Sequence, residues 1–186
     1  MLKLKEFKKN FHHHEIPDEI SRLVEFQNAI GKPFCRGFQL ALDDKARLRP
    51  IFEKREFLDA MCPLGKATSA GSLYVIWARE SVKQIGDCPV LAFGDEGGVH
   101  IVAENSLQLM RILTLDAEPM IDSESLVFMK DDGEPASAGA QEYAVWLEKH
   151  YKQTPVKSVA EVDLVVRTAQ SLLEKPLQGW LKHFKN

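Results

Sequence analysis

Apolar residues at helical spacing mark the first element of the chain. In IPDEISRLVEFQNAIG, one side of a helix would carry a mainly apolar stripe. Its members are Ile20, Leu23, Val24, Gln27 and Ile30. Pro17 and the two acidic residues after it suit a first helical turn, and Gly31 suits a left-handed C-terminal cap. The pattern predicts an amphipathic helix near residues 18 to 30.

Runs of apolar, β-branched and aromatic residues predict strands. The first is FCRGFQLAL at residues 34–42, and residues 51–62 between the runs favour a short helix. The run GSLYVIWAR at residues 71–79 is the strongest strand. Its continuous apolar character indicates a strand that is covered on both faces or lies at the centre of a sheet.

The stretch CPVLAFGDEGGVHIVA at residues 88–103 contains two apolar runs joined by GDEGG. Glycine supplies the positive φ angles that a tight connection needs, so this stretch predicts a β-hairpin. Neither GxxxxGK[ST] nor GxGxxG occurs there, and a strand rather than a helix follows the glycines. A phosphate-binding loop is therefore the weaker interpretation.

Helical spacing dominates the second half. ENSLQLMRILTL predicts a helix with Asn105 or Ser106 as its N-cap, and AQEYAVWLEKHY predicts another. In SVAEVDLVVRTAQSLLEK, Ser158 and Glu161 form a capping box that marks a third helix start. Pro176 is expected to interrupt this helix, leaving LQGWLKHF as a last turn or two.

The order of these elements predicts an α+β fold. Successive strands with a short hairpin favour a mostly antiparallel sheet of about four to six strands with helices packed on it. The loop-like residues 131–139 separate a core at about 15–120 from a helical C-terminal extension at about 136–186. We expect both parts to belong to a single domain spanning residues 1–186.

Composition narrows the function classes. The 186 residues are 45% hydrophobic and 27% charged, which is typical of a folded, soluble protein. A net charge of −3 argues against a nucleic-acid partner. No run of 18 apolar residues and no secretory h-region occur, so we expect no membrane partner. Three irregularly spaced cysteines fit a reducing compartment and predict a cytoplasmic protein with buried thiols.

Three features together resemble the SUKH superfamily, the group named after the yeast Smi/Knr cell-wall-assembly regulators. They are the helix that opens at Ile16-Pro17-Asp18-Glu19-Ile20 and ends near Gly31, the aromatic strand from Tyr74 to Trp77, and the segment PVLAFGDEGG that leads into a strand and a helix over residues 105–115. The resemblance covers roughly residues 15 to 120.

This resemblance implies an α+β fold and a role in binding rather than catalysis. Bacterial members of the superfamily look like immunity proteins that neutralise toxins, whereas fungal members regulate cell-wall synthesis through protein contacts. Neither role follows from the periodicity or the spacing of residues in this chain.

Several histidines and cysteines could carry chemistry. The run His12-His13-His14-Glu15 suggests a metal site, but adjacent residues point in different directions, so a solvated lead-in to the first helix is the simpler interpretation. Cys35, Cys62 and Cys88 have no CxxC spacing and lie among apolar, proline or glycine residues, which favours buried thiols. We expect neither a metal nor another cofactor.

His100 is the best candidate for a general base. Paired in space with Asp95, Glu96 or Glu104, it could act as a general base, and with Asp95 or Glu96 it could serve a small hydrolase or a metal-dependent enzyme. An enzyme of this kind requires a concave site that holds His100 within hydrogen-bond reach of a carboxylate. A half-exposed histidine on a hairpin is the alternative.

Acidic residues fall in predicted loops, and they suit a basic protein partner. We expect the partner-binding residues to be Asp43, Asp44, Asp95, Glu96 and His100. The leading hypothesis is a non-enzymatic immunity protein that occludes a toxin through its acidic loops and sheet face. The alternatives are the His100 enzyme and a regulatory interaction module of cell-wall-regulator type. The oligomeric state is left open.

Overall fold

The fold is a meandering antiparallel sheet with helices on both faces. The computed structural model describes residues 1–43, 45–46, 48–49, 53–131 and 133–184. Within these residues, the strands of the main sheet are neighbours in space in the order in which they occur along the chain. They are β1 (Gln39–Leu40), β2 (Met61–Lys66), β3 (Leu73–Trp77), β4 (Val90–Phe93) and β5 (Val99–Ala103). A separate antiparallel ribbon consists of β6 (Pro119–Ile121) and β7 (Leu126–Phe128).

The helices flank these strands. They are α1 (Leu4–Phe7), α2 (Asp18–Ile30), α3 (Arg55–Ala60), α4 (Ser106–Ile112), α5 (Ala140–Tyr151) and α6 (Val159–Lys182). The predicted caps are confirmed at three termini: Gly31 is left-handed with φ of +62°, Asn105 accepts a hydrogen bond from Gln108 N, and Ser158 accepts one from Glu161 N. Together, these helices and the antiparallel main sheet confirm the predicted α+β class.

Both faces of the sheet are buried. Tyr74 and Ile76 on β3 face a core that also includes residues from α2, α4 and α5. Val75 and Trp77, which alternate with them, face a second core that contains Leu177 and other residues of α6. This alternation explains why the whole of residues 73–77 is apolar, as the sequence indicated.

The helix α6 covers the second face without a break at Pro176. The predicted interruption is wrong, because a single helix runs from Val159 to Lys182 with Pro176 inside it. Pro176 lies on the exposed side of the helix, where water can satisfy the carbonyl of Leu172 that loses its helical donor. Burial of Leu177 and Leu181 against the sheet holds the following turns in place.

The structure differs from the sequence predictions at the first strand and at the helix that follows it. Only Gln39–Leu40 of the predicted strand at 34–42 pairs with β2, since Gly37 has a φ of +69° and Arg36 N donates to the Asp116 carboxylate at 2.8 Å. The predicted helix at 51–62 ends early at Ala60, where β2 begins; residues 51 and 52 lie outside the described residues. The strands β2, β6 and β7 were not predicted from the sequence.

Candidate partner-binding surface

Two hairpin turns meet at one end of the main sheet. The first turn, residues 94–98, joins β4 to β5, and the second, residues 122–125, joins β6 to β7. His100 on β5 connects them, because its Nε2 lies 2.8 Å from the main-chain oxygen of Asp122. A carbonyl oxygen only accepts hydrogen bonds, so Nε2 carries the proton in this contact.

The two turns approach so closely that only glycine fits between them. Gly98 has a φ of +89°, and a Cβ there would lie 1.9 Å from the main-chain oxygen of Asp122. A Cβ on Gly94 would lie 2.1 Å from the oxygen of Gly97 and 2.9 Å from Cγ2 of Ile121. The glycines of GDEGG therefore serve a hairpin, as predicted, and also the packing of the second hairpin against it.

Carboxylates surround the contact between the turns. Asp95 and Glu96 are exposed on the first turn, and Asp122 and Glu124 are exposed on the second. The hydroxyl of Ser72 donates to Asp95 Oδ1 at 2.6 Å, which holds that side chain in one position. Four acidic residues from distant parts of the chain thus share one region of the surface.

The Asp122 carboxylate is held in its charged form. Its Oδ1 accepts hydrogen bonds from the main-chain N–H groups of Glu124 and Ser125, both at 2.7 Å. The bonds from Glu124 and then Ser125 lower the pKa of Asp122 below its ordinary value, because hydrogen bonds to a carboxylate favour ionisation. The turn consequently carries a fixed negative charge at neutral pH.

Apolar side chains extend from these acidic turns along the outer face of the β6–β7 ribbon. Met120 and Val127 are directly opposite each other, and their residues are 55% and 39% exposed. Met129, just beyond the end of β7, is 56% exposed, whereas Phe128 between Val127 and Met129 is buried. A contiguous exposed apolar patch rimmed by charges is characteristic of binding sites. We name this set the double-hairpin surface: Asp95, Glu96, Met120, Asp122, Glu124, Val127 and Met129.

The structure brings together only part of the predicted binding set. Asp95, Glu96 and His100 belong to the first hairpin, as expected. Asp43 follows β1 toward the opposite end of the sheet, since Gln39 pairs with Lys66 and the chain then runs antiparallel to β2. Asp44 lies outside the described residues. Asp43 therefore does not contribute to the double-hairpin surface.

Among the described hydrogen bonds and ion pairs, His100 does not pair with the carboxylates of Asp95, Glu96 or Glu104. His100 Nε2 contacts a main-chain oxygen, and Asp95 is bonded to Ser72 instead. Two open clefts, of about 910 and 1120 Å³, lie elsewhere, and none of their described lining residues is His100, Asp95 or Glu96. The geometry required of the His100 enzyme is therefore absent from these clefts and from this hairpin.

The structure also argues against the expectation that a partner contacts a face of the main sheet. Helices α2, α4 and α5 cover one face, and α6 covers the other. Trp77 is buried in the second core and lies 5.2 Å, between ring centroids, from the half-buried Trp180. In the described part of the chain, helices therefore cover both faces of the main sheet.

The histidine run shows no ligand set. His13 and His14 stack with their ring centroids 4.0 Å apart, and His12 has a positive φ of 51°. Burial lowers the pKa of both His12 and His14 because it disfavours the imidazolium form. Among the described residues, no group of three or more His, Cys, Asp or Glu side chains could hold a metal ion.

The three cysteines are buried and unpaired. Burial raises the pKa of Cys62 to about 12, and it also raises the pKa values of Cys35 and Cys88. Because the thiolate is the reactive form, these side chains are inert packing groups. The prediction of buried thiols is confirmed.

Sequence reasoning missed the residues of the second hairpin. The stretch EPMIDSESLVFMK contains two short apolar runs separated by DSES, which is a weak hairpin signal. Its contact with the first hairpin depends on residues about 25 positions apart, as in the bond between His100 and Asp122 with its separation of 22 residues. No local pattern could have indicated that the two turns meet.

Comparisons of the chain with protein-family models, with curated proteins and with solved structures gave no match. A search of the described helices found none that is both long and apolar enough to cross a membrane.

Proposed function

We propose that the protein is a non-enzymatic binding module that holds a basic protein partner on the double-hairpin surface. Its partner is a toxin, which it neutralises by direct contact, as the resemblance to bacterial SUKH immunity proteins implies. The observation that carries the proposal is the combination of four exposed carboxylates with the exposed apolar face of Met120, Val127 and Met129.

The chemistry of this surface favours a protein rather than a small molecule. The apolar side chains supply area that a partner can remove from water, and methionine adapts to irregular surfaces. The carboxylates accelerate encounter with a basic surface and disfavour acidic competitors. Such a partner would present arginines or lysines around an apolar centre.

The rigidity of the double-hairpin surface also supports a binding role. Asp95 is held by Ser72, Asp122 is held by its own turn, and His100 fixes the two turns relative to each other. A rigid surface loses little conformational entropy on binding, which increases affinity for a given contact area. A regulator unrelated to toxins would use the same surface, so the identity of the bound partner separates these two roles.

The test is affinity capture from the native lysate with two charge-reversed variants. One carries Glu96→Lys and Glu124→Lys on the double-hairpin surface. Its control carries Glu25→Lys and Glu148→Lys, which are exposed on α2 and α5 and change the net charge equally. The captured partner is identified by mass spectrometry, purified and titrated against each variant by calorimetry.

We expect the wild-type protein and the control to bind one basic partner with similar affinity, and the double-hairpin variant to bind at least tenfold more weakly. A toxin activity that the wild type inhibits in the purified pair would support the immunity role. Equal weakening by both variants, or an acidic partner, would contradict the proposal.

A further inference from the structure

The outer face of α6 carries a stripe of exposed, mainly apolar residues. Exposed residues recur at every fourth position: Ala160, Leu164, Thr168, Leu172 and Pro176. Residues four apart lie on one face of a helix, so these five form a continuous ridge. Leu164 is 67% exposed and Leu172 is 58% exposed.

Packing within the chain does not explain these leucines. The opposite side of α6 provides the residues that cover the core, and they are Val162, Val166, Ala169, Leu177 and Leu181. Within the described part of the chain, the two leucines therefore remain largely exposed, and their burial by a second surface would be favourable.

The ridge is self-complementary about its centre. Leu164 precedes Thr168 by four residues, and Leu172 follows it by four. Ala160 and Pro176, both small and apolar, stand at twice that distance. If a second α6 crosses antiparallel at Thr168, each Leu164 meets Leu172 of the other copy, as a two-fold symmetric interface requires.

The charges on the same face follow the same symmetry. Glu161 lies seven residues before Thr168, and Lys175 lies seven residues after it. In an antiparallel arrangement, Glu161 of each copy is therefore on the same side as Lys175 of the other copy. Glu161 is half-buried and also bonds to Arg111 and to Lys157 N, so its pairing with Lys175 would add orientation more than affinity.

We propose that α6 binds α6 of a second copy of this chain, antiparallel and with the two-fold axis at Thr168. The small side chain of Thr168 at the crossing point lets the two helix backbones approach each other. The contact is small beside a standard interface of about 800 Å² per partner, so the dimer depends on protein concentration. This proposal is independent of the proposed function, since the stripe shares no residue with the double-hairpin surface.

The test is a disulfide across the axis. In Thr168→Cys, the axis brings the two new thiols together, because helix axes 8–10 Å apart leave facing Cα atoms within the reach of a disulfide. The native Cys35, Cys62 and Cys88 are buried and do not compete. The control is Glu174→Cys, which is exposed on α6 but lies about 120° around the helix from Thr168.

Mild oxidation at several protein concentrations should give a covalent dimer of Thr168→Cys that forms at least ten times faster than that of Glu174→Cys. Sedimentation of the wild type should show a dimer whose fraction rises with concentration. In Leu164→Glu/Leu172→Glu the dimer should disappear while the thermal midpoint changes little, and Val145→Glu on α5 should leave it intact. Equal cross-linking at positions 168 and 174, or a wild type that stays monomeric at high concentration, would overturn the proposal.

Discussion

The side-chain amide of Gln27 pairs with the main chain of Leu40 as a neighbouring strand would. Leu40 N donates to Gln27 Oε1 at 2.8 Å, and Gln27 Nε2 donates to Leu40 O at 3.0 Å. Leu40 is on β1, the edge strand of the main sheet, and its outward-facing groups would otherwise be open to another chain. A residue of α2 therefore closes this edge of the sheet.

Replacing Gln27 should reopen the edge. We expect Gln27→Ala to lower the free energy of unfolding by about 1 to 2 kcal/mol, because two hydrogen bonds are lost and water only partly replaces them. It should also increase self-association, measured by light scattering. The control is Asn28→Ala, which removes the equivalent pair of bonds to Leu2 at the N-terminal end without touching β1. Equal association of the two variants would show that Gln27 does not protect the edge.

The contact between the two hairpins should be measurable through a pair of glycines. Gly97→Ala and Gly98→Ala both impose a side chain on a positive φ, at +108° and +89°. A Cβ on Gly97 has no atom within 4 Å, whereas a Cβ on Gly98 would strike the Asp122 oxygen. We expect Gly97→Ala to cost about 1 to 3 kcal/mol of unfolding free energy from strain alone, and Gly98→Ala to cost clearly more.

The measurement is urea denaturation of both variants and the wild type. The difference between the two variants isolates the packing of the second hairpin on the first. Partner binding, if it uses the double-hairpin surface, should fall with Gly98→Ala by more than with Gly97→Ala. Identical stabilities would mean that the hairpins are not in contact.

Burial of Lys45 makes the free energy of unfolding depend on pH in the alkaline range. Its residue is 5% exposed, its Nζ donates to the main-chain oxygen of Leu58, and burial lowers its pKa from 10.5 to about 8. Between these two values the unfolded chain binds more protons than the folded chain at this position. The contribution of Lys45 to stability therefore rises with pH from about 8 to about 10.5.

The comparison is with Lys45→Met, which keeps the length and loses the charge. Across this pH range, we expect the wild type to gain on the order of 1 to 3 kcal/mol of unfolding free energy relative to the variant. Subtracting the two curves removes the opposite effect of the buried cysteines, whose pKa values are raised. Lys66→Met, at an exposed lysine, should show no such change, and a flat difference for Lys45→Met would contradict the account.

The buried carboxylate of Asp116 should be a strong determinant of stability. It is 3% exposed and accepts hydrogen bonds from Arg36 N at 2.8 Å and from the N–H and hydroxyl of Ser137, both at 2.6 Å. We expect Asp116→Ala to cost about 2 to 4 kcal/mol in thermal or urea unfolding, since buried donors lose their acceptor. Glu134→Ala, which removes only an exposed ion pair with Arg36, should cost less than about 1 kcal/mol.

The features that could be predicted from the sequence are those that depend on residues close together along the chain. The hairpin of β4 and β5 and the cap at Asn105 depend on neighbouring residues, and both predictions are confirmed. The strand β2 was missed because Pro63 and Gly65 are poor strand residues, and they sit at a register shift against β3. The expected break at Pro176 failed because packing of α6 on the sheet outweighed a local preference.

Only the first hairpin of the double-hairpin surface could be predicted from the sequence. Asp95 and Glu96 were identified from their turn, but their association with Asp122 and Met120 arises from tertiary contacts that no short pattern encodes. The same holds for Asp43, whose distance from Asp95 follows from the direction of β1. Loop position indicated the exposure of Asp95 and Glu96 correctly, but it did not indicate which loops meet.

The most direct test of the proposed function is site-specific photo-cross-linking in the native lysate. A photoreactive residue replaces Met120 on the double-hairpin surface or, as a control, Val145, which is equally exposed on α5. The account predicts one basic protein cross-linked through position 120, lost when Glu96→Lys and Glu124→Lys are added, and absent at position 145. A partner that cross-links through position 145 alone, or is indifferent to the charge reversal at position 120, would contradict it.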